Sequence, residues 1–282
     1  AAVKEWLEDE TKAEAKYGHI SGWDTSEVTD MSDLFKYAEK FNEPLGDWDV
    51  SNVTNMSEMF WMAHRFNKPL KKWNVSKVTK MKRMFFYANA FNQPIGNWDV
   101  SNVTNMSDMF WMAHRFNKPL KKWNVSKVTK MKRMFREVFK FNQPIGNWNV
   151  SKVTDMEEMF SSQPGLDEFM KFNQPIGEWD VSNVTNMRSM FDENPSFNQP
   201  LNNWDVSSVT DMVMMFCGAK AFNQPTGNWD VSSVTDMGNM FFGAGAFNQD
   251  IGHWDVSNVS DFEGFSEYAL LSETNKPNFI QS

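Results

Sequence analysis

The chain of 282 residues contains one cysteine and four histidines, and it has no apolar run long enough to span a bilayer. The single thiol, Cys217, excludes a disulfide framework and any zinc site built on several cysteines. A membrane-spanning helix needs about 20 mainly apolar residues, so no transmembrane segment is predicted. Stability must come from packing, for which 41% hydrophobic and 15% aromatic residues are ample.

The sequence also lacks the motifs of common enzymes. It has no HExxH pair and no glycine-rich phosphate loop. His64 and His114 are copies within the same string, "WMAHRFN", which is more typical of a repeated surface residue than of a metal ligand. Cys217 occupies the position that Trp61 and Trp111 hold in other repeats, which favours an inert thiol. We therefore predict that the protein is not an enzyme and uses no cofactor.

What the sequence does contain is a repeat of 25 residues, written at residues 91–110 as "FNQPIGNWDVSNVTNMSDMF". Valine, serine and methionine recur at fixed distances after an anchor tryptophan, and the anchors are 25 residues apart except for one step of 31. Such a period is typical of solenoids, whose units bury their apolar faces by stacking on their neighbours. The repeated tryptophans and methionines are accordingly predicted to lie in the core. The anchors are Trp23, Trp48, Trp73, Trp98, Trp123, Trp148, Trp179, Trp204, Trp229 and Trp254.

Each unit shows two apolar periods. In "PIGNWDV", Trp98 and Val100 alternate with polar residues, which predicts a short strand. In "VTNMSDMFWMA", the residues Val103, Met106 and Met109 are spaced as on one face of a helix. We therefore predict an α/β repeat solenoid similar in layout to leucine-rich repeats. It should have one parallel β-sheet with a short strand per rung, and a short helical segment on the opposite side.

The whole chain, residues 1–282, is expected to form a single solenoid domain with helical caps at both ends. Residues 1–20 contain an amphipathic pattern that predicts the N-terminal cap. Residues 21–265 hold the ten repeats, and a six-residue insertion near 161–171 is expected to bulge from the rod as a weak candidate for contact. The recurring residues are replaced by others at the end of the tenth repeat, so residues 266–282 are predicted to form the C-terminal cap.

The motif WDVS-x-VT-x-M-x-x-MF, together with "FNQPIGN", resembles the 25-residue repeat of the BspA-like surface proteins. That repeat was first associated with mycoplasma lipoproteins and also occurs in other bacteria and in microalgae. The resemblance covers about residues 17–265. It implies an extracellular or cell-surface protein that mediates adhesion or interaction, and it implies no catalytic residues.

Charge is distributed unevenly, although the net charge is only −8. Repeats 66–90 and 116–140 hold sixteen Lys and Arg against one acid, Glu137. Because one nearly neutral repeat separates them, the two basic bands should lie about 10 Å apart, near the Debye length at about 0.1 M salt, and act as one patch. Trp61 and Trp111 are predicted to form an aromatic pair beside it. The candidate partner-binding residues are Lys68, Lys71, Lys72, Lys77, Lys80, Lys82, Arg83, Lys118, Lys121, Lys122, Lys127, Lys130, Lys132, Arg133, Trp61 and Trp111.

An anionic polysaccharide, an acidic protein face or the acidic repeats of another copy would fit this patch, whereas nucleic acid is not expected. A solvated surface balanced by acidic neighbours is an equally simple explanation of the charges. We predict a non-enzymatic recognition or adhesion scaffold that binds a protein or an anionic glycan. The alternative is a structural subunit, in which acidic and basic rungs of successive copies build a filament or a surface layer.

The residue after each anchor tryptophan is Asp or Asn in all ten repeats. The side chain of such a residue can accept a hydrogen bond from the backbone two residues on, which forms an Asx turn without any ligand. A calcium ladder is the functional alternative, with Asp180, Asp205, Asp230 and Asp255 as its ligands. Because Asn replaces Asp freely, the turn is favoured and no metal site is predicted.

Residues 48–85 and 98–135 are copies that differ at one position, Glu58 against Asp108. This near-identity indicates a recent duplication of two repeats. Recency alone explains why their surface residues agree, so no functional inference follows from it.

Overall fold

The computed structural model describes residues 1–278, and its helices lie at the two ends of the chain. Helix α1 (Ala2–Glu8) and helix α2 (Glu10–Tyr17) are followed by a 3-10 helix at Ile20–Gly22. A second 3-10 helix, at Glu273–Asn275, comes after the last repeat. Between them the described chain forms ten similar rungs of turns and extended segments, which we number 1 to 10 by their anchor tryptophans. The predicted repeat solenoid is confirmed.

The N-terminal segment covers rung 1 with two short helices. Asp9 has an extended backbone, with φ at −154°, and ends α1. Its side chain accepts a hydrogen bond from the Lys12 backbone N–H at 3.0 Å, which caps α2. Trp6 is buried against the rings of His19 and Trp23, at centroid distances of 5.2 and 5.8 Å. These contacts shield the first rung from water.

Parallel pairing between the described rungs is limited to one bridged residue per rung, seven positions after the anchor tryptophan. Around Asn105, the Thr104 N–H donates to the Thr79 carbonyl at 3.1 Å, and the Met106 N–H donates to the Lys130 carbonyl at 3.0 Å. The strand predicted across the Trp–Val segment is absent from these rungs, because the N–H groups of the tryptophans close local turns. The bridged residues are Asp30, Asn55, Lys80, Asn105, Lys130, Asp155, Asn186, Asp211, Asp236 and Asp261.

The helical segment predicted in each rung is wrong for the described rungs. In rung 4 the Asp108 N–H donates to the Lys132 carbonyl at 2.8 Å, and the Met112 N–H donates to the Arg136 carbonyl at 2.9 Å. A helix would instead direct these groups to carbonyls of its own segment. Asp108 and Met112 are both left-handed, with φ at +59°, so the chain changes direction every four residues. The second half of each rung therefore consists of successive turns that hydrogen-bond to the neighbouring rung.

The predicted C-terminal helical cap is also wrong in the part of it that the structure describes. Residues 266–272 form turns and irregular structure, and a single 3-10 turn at Glu273–Asn275 follows. Residues 279–282 of the predicted cap lie outside the described residues.

The tryptophan and methionine columns form the core, as predicted. In rung 4, Trp98 is 3% exposed and Met106 is fully buried. Phe110 stacks between its counterparts in the neighbouring rungs, Phe85 and Phe135, with ring centroids 5.7 Å from each. Because every rung repeats these contacts, one continuous core runs along the solenoid.

Asparagine and glycine occupy the corners between rungs. The side-chain oxygen of Asn92 accepts a hydrogen bond from the Asn117 backbone N–H in the next rung at 3.0 Å, and the same link recurs along the chain. Gly96 lies so close to Pro119 that a Cβ atom there would overlap the Pro119 carbonyl oxygen. The corner thus satisfies backbone donors on one side and permits close approach of two rungs on the other.

The insertion near 161–171 does not interrupt the bridge ladder between rungs 6 and 7. Asp155 still pairs with Asn186, and the Thr185 N–H donates to the Thr154 carbonyl at 2.9 Å. The added residues therefore lengthen the loop at one corner, while the tryptophan-to-bridge stretch keeps its register along the whole rod.

Candidate functional site

The Asp or Asn after each anchor tryptophan forms an Asx turn. In rung 4, Asp99 Oδ1 accepts a hydrogen bond from the Ser101 N–H at 3.0 Å, and hydrogen bonds from Ser101 lower the pKa of Asp99. The same bond occurs in all ten rungs. The turn accounts for the column without a ligand. Calcium binding by Asp180, Asp205, Asp230 and Asp255 stays the weaker alternative to this turn.

The two arginines of the predicted basic patch share one buried acid. Asp108 is 1% exposed, and its carboxylate accepts hydrogen bonds from Arg83 Nε at 3.1 Å and from Arg133 Nε at 2.7 Å. Arg83 also lies 3.4 Å from Glu58, which in turn contacts Lys36 at 2.6 Å. Charges of opposite sign therefore alternate along this column, and the arginines are largely neutralised within the protein.

Most lysines of the patch differ from the arginines in having no acidic partner. Lys72 lies 2.8 Å from Asp47, and Lys132 lies 2.8 Å from Glu157. The other ten have no ion pair in the described part of the chain, so their charge is available to a partner. These ten are Lys68, Lys71, Lys77, Lys80, Lys82, Lys118, Lys121, Lys122, Lys127 and Lys130.

Trp61 and Trp111 belong to a continuous aromatic column and do not pair directly. Phe86 of the intervening rung lies between them, with centroid distances of 5.2 and 4.6 Å. Lys36 Nζ is 4.3 Å from the Trp61 ring, and Arg133 Cζ is 4.5 Å from the Trp111 ring. Neighbouring rings and cations therefore cover the faces of both tryptophans. This geometry favours edge contacts with a partner over stacking on a sugar ring.

Lysines without acidic partners flank a groove on the proline side of the rungs. Lys71, Lys121 and Lys122 line this groove of 340 Å³ together with Pro94 and Pro119. In six other rungs the column of Lys71 and Lys121 holds glycine, and in four of these rungs the glycine packs against the carbonyl oxygen of the next proline. Each of these two rungs thus places an ammonium group where most of the others have no side chain.

One cluster of polar residues escaped the sequence analysis. Asp192, Glu193 and Cys217 bring two carboxylates and a thiol within 4.8 Å of one another. Burial raises the pKa of the Cys217 thiol to about 12, which keeps it protonated at neutral pH and agrees with the predicted inert role. Asp192 and Cys217 are one repeat apart, and only a comparison at this fixed offset would have placed them together.

Asp192→Asn is expected to flatten the pH dependence of stability. Burial raises the pKa of Asp192 from 3.8 to about 7, so the folded state binds this proton more tightly than the unfolded state. The free energy of unfolding should therefore fall as the pH rises from about 4 to about 7, by about 3 kcal/mol. Urea unfolding across this range measures it. Asp180→Asn is the control, since hydrogen bonds from Ser182 lower the pKa of Asp180; an equal slope in wild type and Asp192→Asn would refute the prediction.

Comparison with known proteins identifies the repeat. The sequence matches the family described as "Mycoplasma protein of unknown function, DUF285" over residues 6–103, 70–170 and 165–278. The chain belongs to this family. The resemblance to the mycoplasma-type repeat is thereby confirmed, and the three tandem matches together span most of the chain.

Solved structures show weaker similarity. A leucine rich cell surface protein from Faecalibacterium prausnitzii is 13% identical, with a TM-score of 0.33 over 88% of this chain and 78% of that chain. A chain of the Drosophila Toll–Spatzle complex is 10% identical, with a TM-score of 0.21 over 79% and 41% of the two chains. A chain of the TLR13–ssRNA13 complex is 9% identical, with a TM-score of 0.21 over 88% and 50%. These similarities are too low to carry a functional argument, and no curated protein matches the chain.

Within the described residues, no helix combines the length and apolarity needed to cross a membrane.

Proposed function

We propose that the protein is a non-enzymatic recognition scaffold of the cell surface or extracellular space, and that the groove between rungs 3 and 5 binds an anionic polysaccharide. The surface location rests on the family resemblance. The observation that supports the ligand is the group of lysines without acidic partners around the groove. Arginines and paired lysines elsewhere in the patch already have acidic partners and contribute less.

The shape of the groove favours a linear sugar polymer over a folded protein. Lys71 and Lys121 are two rungs apart, which is about 10 Å along the solenoid axis. Between them lie Pro94 and Pro119, whose rings offer apolar contact to the flat side of a sugar. Among the described residues, the Lys122 ammonium donates a hydrogen bond only to the amide oxygen of Asn97, at 3.4 Å, and can bind a sulfate or a carboxylate. A chain lying along the axis would meet these cations in sequence.

Retention on a sulfated-polysaccharide column tests the proposal. The triple variant Lys71→Glu, Lys121→Glu, Lys122→Glu is expected to lose retention, because it reverses the charges lining the groove. The control variant Lys40→Glu, Lys171→Glu, Lys220→Glu changes the net charge equally at exposed positions elsewhere and should keep most of it. Both variants should retain the melting temperature of the wild type.

Equal loss in both triple variants would mean that net charge alone drives retention, and unchanged retention of the groove variant would exclude the groove as the site. An acidic protein ligand predicts a different result. In that case retention on the polysaccharide would be absent from the wild type as well, and the proposal would be wrong.

A further inference from the structure

A second surface, which borders the groove at Asn124 and Asn149, carries both signs of charge in separate blocks. On the stretch from each anchor tryptophan to its bridge residue, Val100 and Val103 of rung 4 point into the core, and positions one, four and seven after the tryptophan reach solvent. We call these three columns the ladder face. Hydrogen bonds from Ser101 lower the pKa of Asp99 in rung 4, and the charge of Lys127 in rung 5 adds to this effect, which agrees with neighbouring first and second columns.

The basic block of the ladder face lies in rungs 3 to 5. Rungs 3 and 5 each replace the usual Asp after the tryptophan with Asn and add two lysines in the other columns. Within residues 1–278, Lys77 donates only to the amide oxygen of Asn52 and Lys127 only to that of Asn102, both at 2.7 Å. Lys80 and Lys130, in the bridge column, are exposed and have no ion pair among the described residues.

The acidic block lies in rungs 8 to 10, where two columns hold aspartate in every rung. In the described structure only Asp211 has an ion-pair partner, Arg188 at 3.5 Å. Neighbouring carboxylates in this block repel one another. Hydrogen bonds from Ser257 lower the pKa of Asp255, and the charge of Asp230 acts in the opposite direction. The members are Asp205, Asp230 and Asp255 in the first column and Asp211, Asp236 and Asp261 in the bridge column.

We propose that the ladder face binds a second copy of the chain, as an antiparallel dimer with two-fold symmetry. The two-fold axis lies in the interface, is perpendicular to the rods and passes between rungs 6 and 7. It places rung 3 of one copy opposite rung 10 of the other, rung 4 opposite rung 9, and rung 5 opposite rung 8. It also keeps each column opposite itself, so Lys80 faces Asp261 and Lys130 faces Asp211. The two copies then form four lysine–aspartate pairs from rungs 3 and 5, whereas rung 4, which has no lysine on this face, sets Asp99 opposite Asp230.

Other arrangements of two copies match the charges less well. A parallel two-fold dimer would set every rung against itself with the two outer columns exchanged, so that Lys77 would face Lys77 and Asp236 would face Asp230. A staggered, head-to-tail contact satisfies only one block of each copy and leads to an open filament. The antiparallel dimer forms both contacts between basic and acidic blocks for a single loss of translational freedom. The rung spacing on which this match depends continues across the insertion, because Asp155 still bridges to Asn186. A closed dimer is therefore favoured over the filament considered from the sequence.

Charge reversal within one column provides the test. One variant carries Lys80→Glu and Lys130→Glu, a second carries Asp211→Lys and Asp261→Lys, and a third carries all four changes. Lysine and acidic residues both occur naturally in this column, so the variants should fold. Sedimentation velocity is run from micromolar to submillimolar protein at about 0.01 M and about 1 M salt, where the Debye length is about 30 Å and about 3 Å.

The wild type should form dimers at low salt and monomers at high salt. Each double variant should weaken dimerisation tenfold or more, and the fourfold variant, whose net charge equals that of the wild type, should restore it. An equimolar mixture of the two double variants should form mixed dimers. A wild type that stays monomeric at low salt, double variants that still dimerise, a fourfold variant that does not recover, or oligomers that grow beyond the dimer would each overturn the proposal.

The groove variant Lys71→Glu, Lys121→Glu, Lys122→Glu separates this inference from the proposed function. Its changes lie outside the three columns of the ladder face, so it should dimerise like the control variant Lys40→Glu, Lys171→Glu, Lys220→Glu, which has the same net charge, while losing polysaccharide retention. Dimerisation lost in the groove variant but kept in this control would contradict the assignment of the ladder face, whatever the polysaccharide column shows.

Discussion

Replacing Trp98 with alanine is expected to lower the free energy of unfolding by about 3–5 kcal/mol. The indole is 3% exposed, stacks on Trp73 at a centroid distance of 6.2 Å and lies 6.4 Å from the Phe85 ring. The change removes one layer from a column that runs through the rod, and the rigid rungs on either side cannot collapse into the space. Urea unfolding followed by circular dichroism measures the effect.

The indole also donates a hydrogen bond that connects two rungs. Trp98 Nε1 lies 3.1 Å from the Leu70 carbonyl oxygen, and the same bond recurs in every rung from the second to the tenth. Trp98→Phe keeps most of the apolar area but removes one of the two hydrogen bonds that the Leu70 carbonyl accepts, since the Trp73 N–H still donates to it at 3.1 Å, so the change should cost about 0.5–1.5 kcal/mol. A loss below about 1 kcal/mol in Trp98→Ala would mean that the tryptophan column does not hold the core together.

The core was predictable from sequence because its residues recur at fixed positions. The error in secondary structure has a physical origin, since Val103, Met106 and Met109 have the same spacing on a helix as on a ladder of turns. The signal that separates the two lies in the left-handed positions. Gly218 and Gly264 occupy these columns late in the chain, with φ at +65° and +62°, and glycine in mid-helix is disfavoured.

From the sequence, the candidate site could be predicted only as an excess of positive charge in two repeats. The sequence shows how many lysines two repeats contain, but the ion pairs join residues one repeat apart, as in Lys72 with Asp47 and Arg83 with Asp108. Such pairs appear once residues are compared at an offset of 25. The separation of groove lysines from ladder-face lysines needed the structure, because it depends on which side of the rung each column occupies.

Asp108→Asn is expected to lower the free energy of unfolding by about 3 kcal/mol, because it removes the only charge that bridges two arginines. Asparagine has nearly the same shape and tolerates the left-handed backbone at this position, so the change isolates the charge. Its Oδ1 can still accept from Arg83 or Arg133, but its amide group would then point hydrogens at the N–H groups of the other arginine. Arg83 keeps its contact with Glu58, whereas Arg133 loses the carboxylate with which it pairs in the described structure.

Glu58→Gln is the matched control, since Glu58 is the equivalent residue in the duplicated block. Its side chain is 20% exposed and contacts Lys36 at 2.6 Å and Arg83 at 3.4 Å, so water and salt compensate part of the lost charge. The loss should be about 1 kcal/mol and should shrink in about 1 M salt, whereas the loss at buried Asp108 should persist. Equal losses of unfolding free energy at the two positions would show that burying the carboxylate between two arginines adds no stability. The alternating charges would then contribute no more than ordinary surface ion pairs.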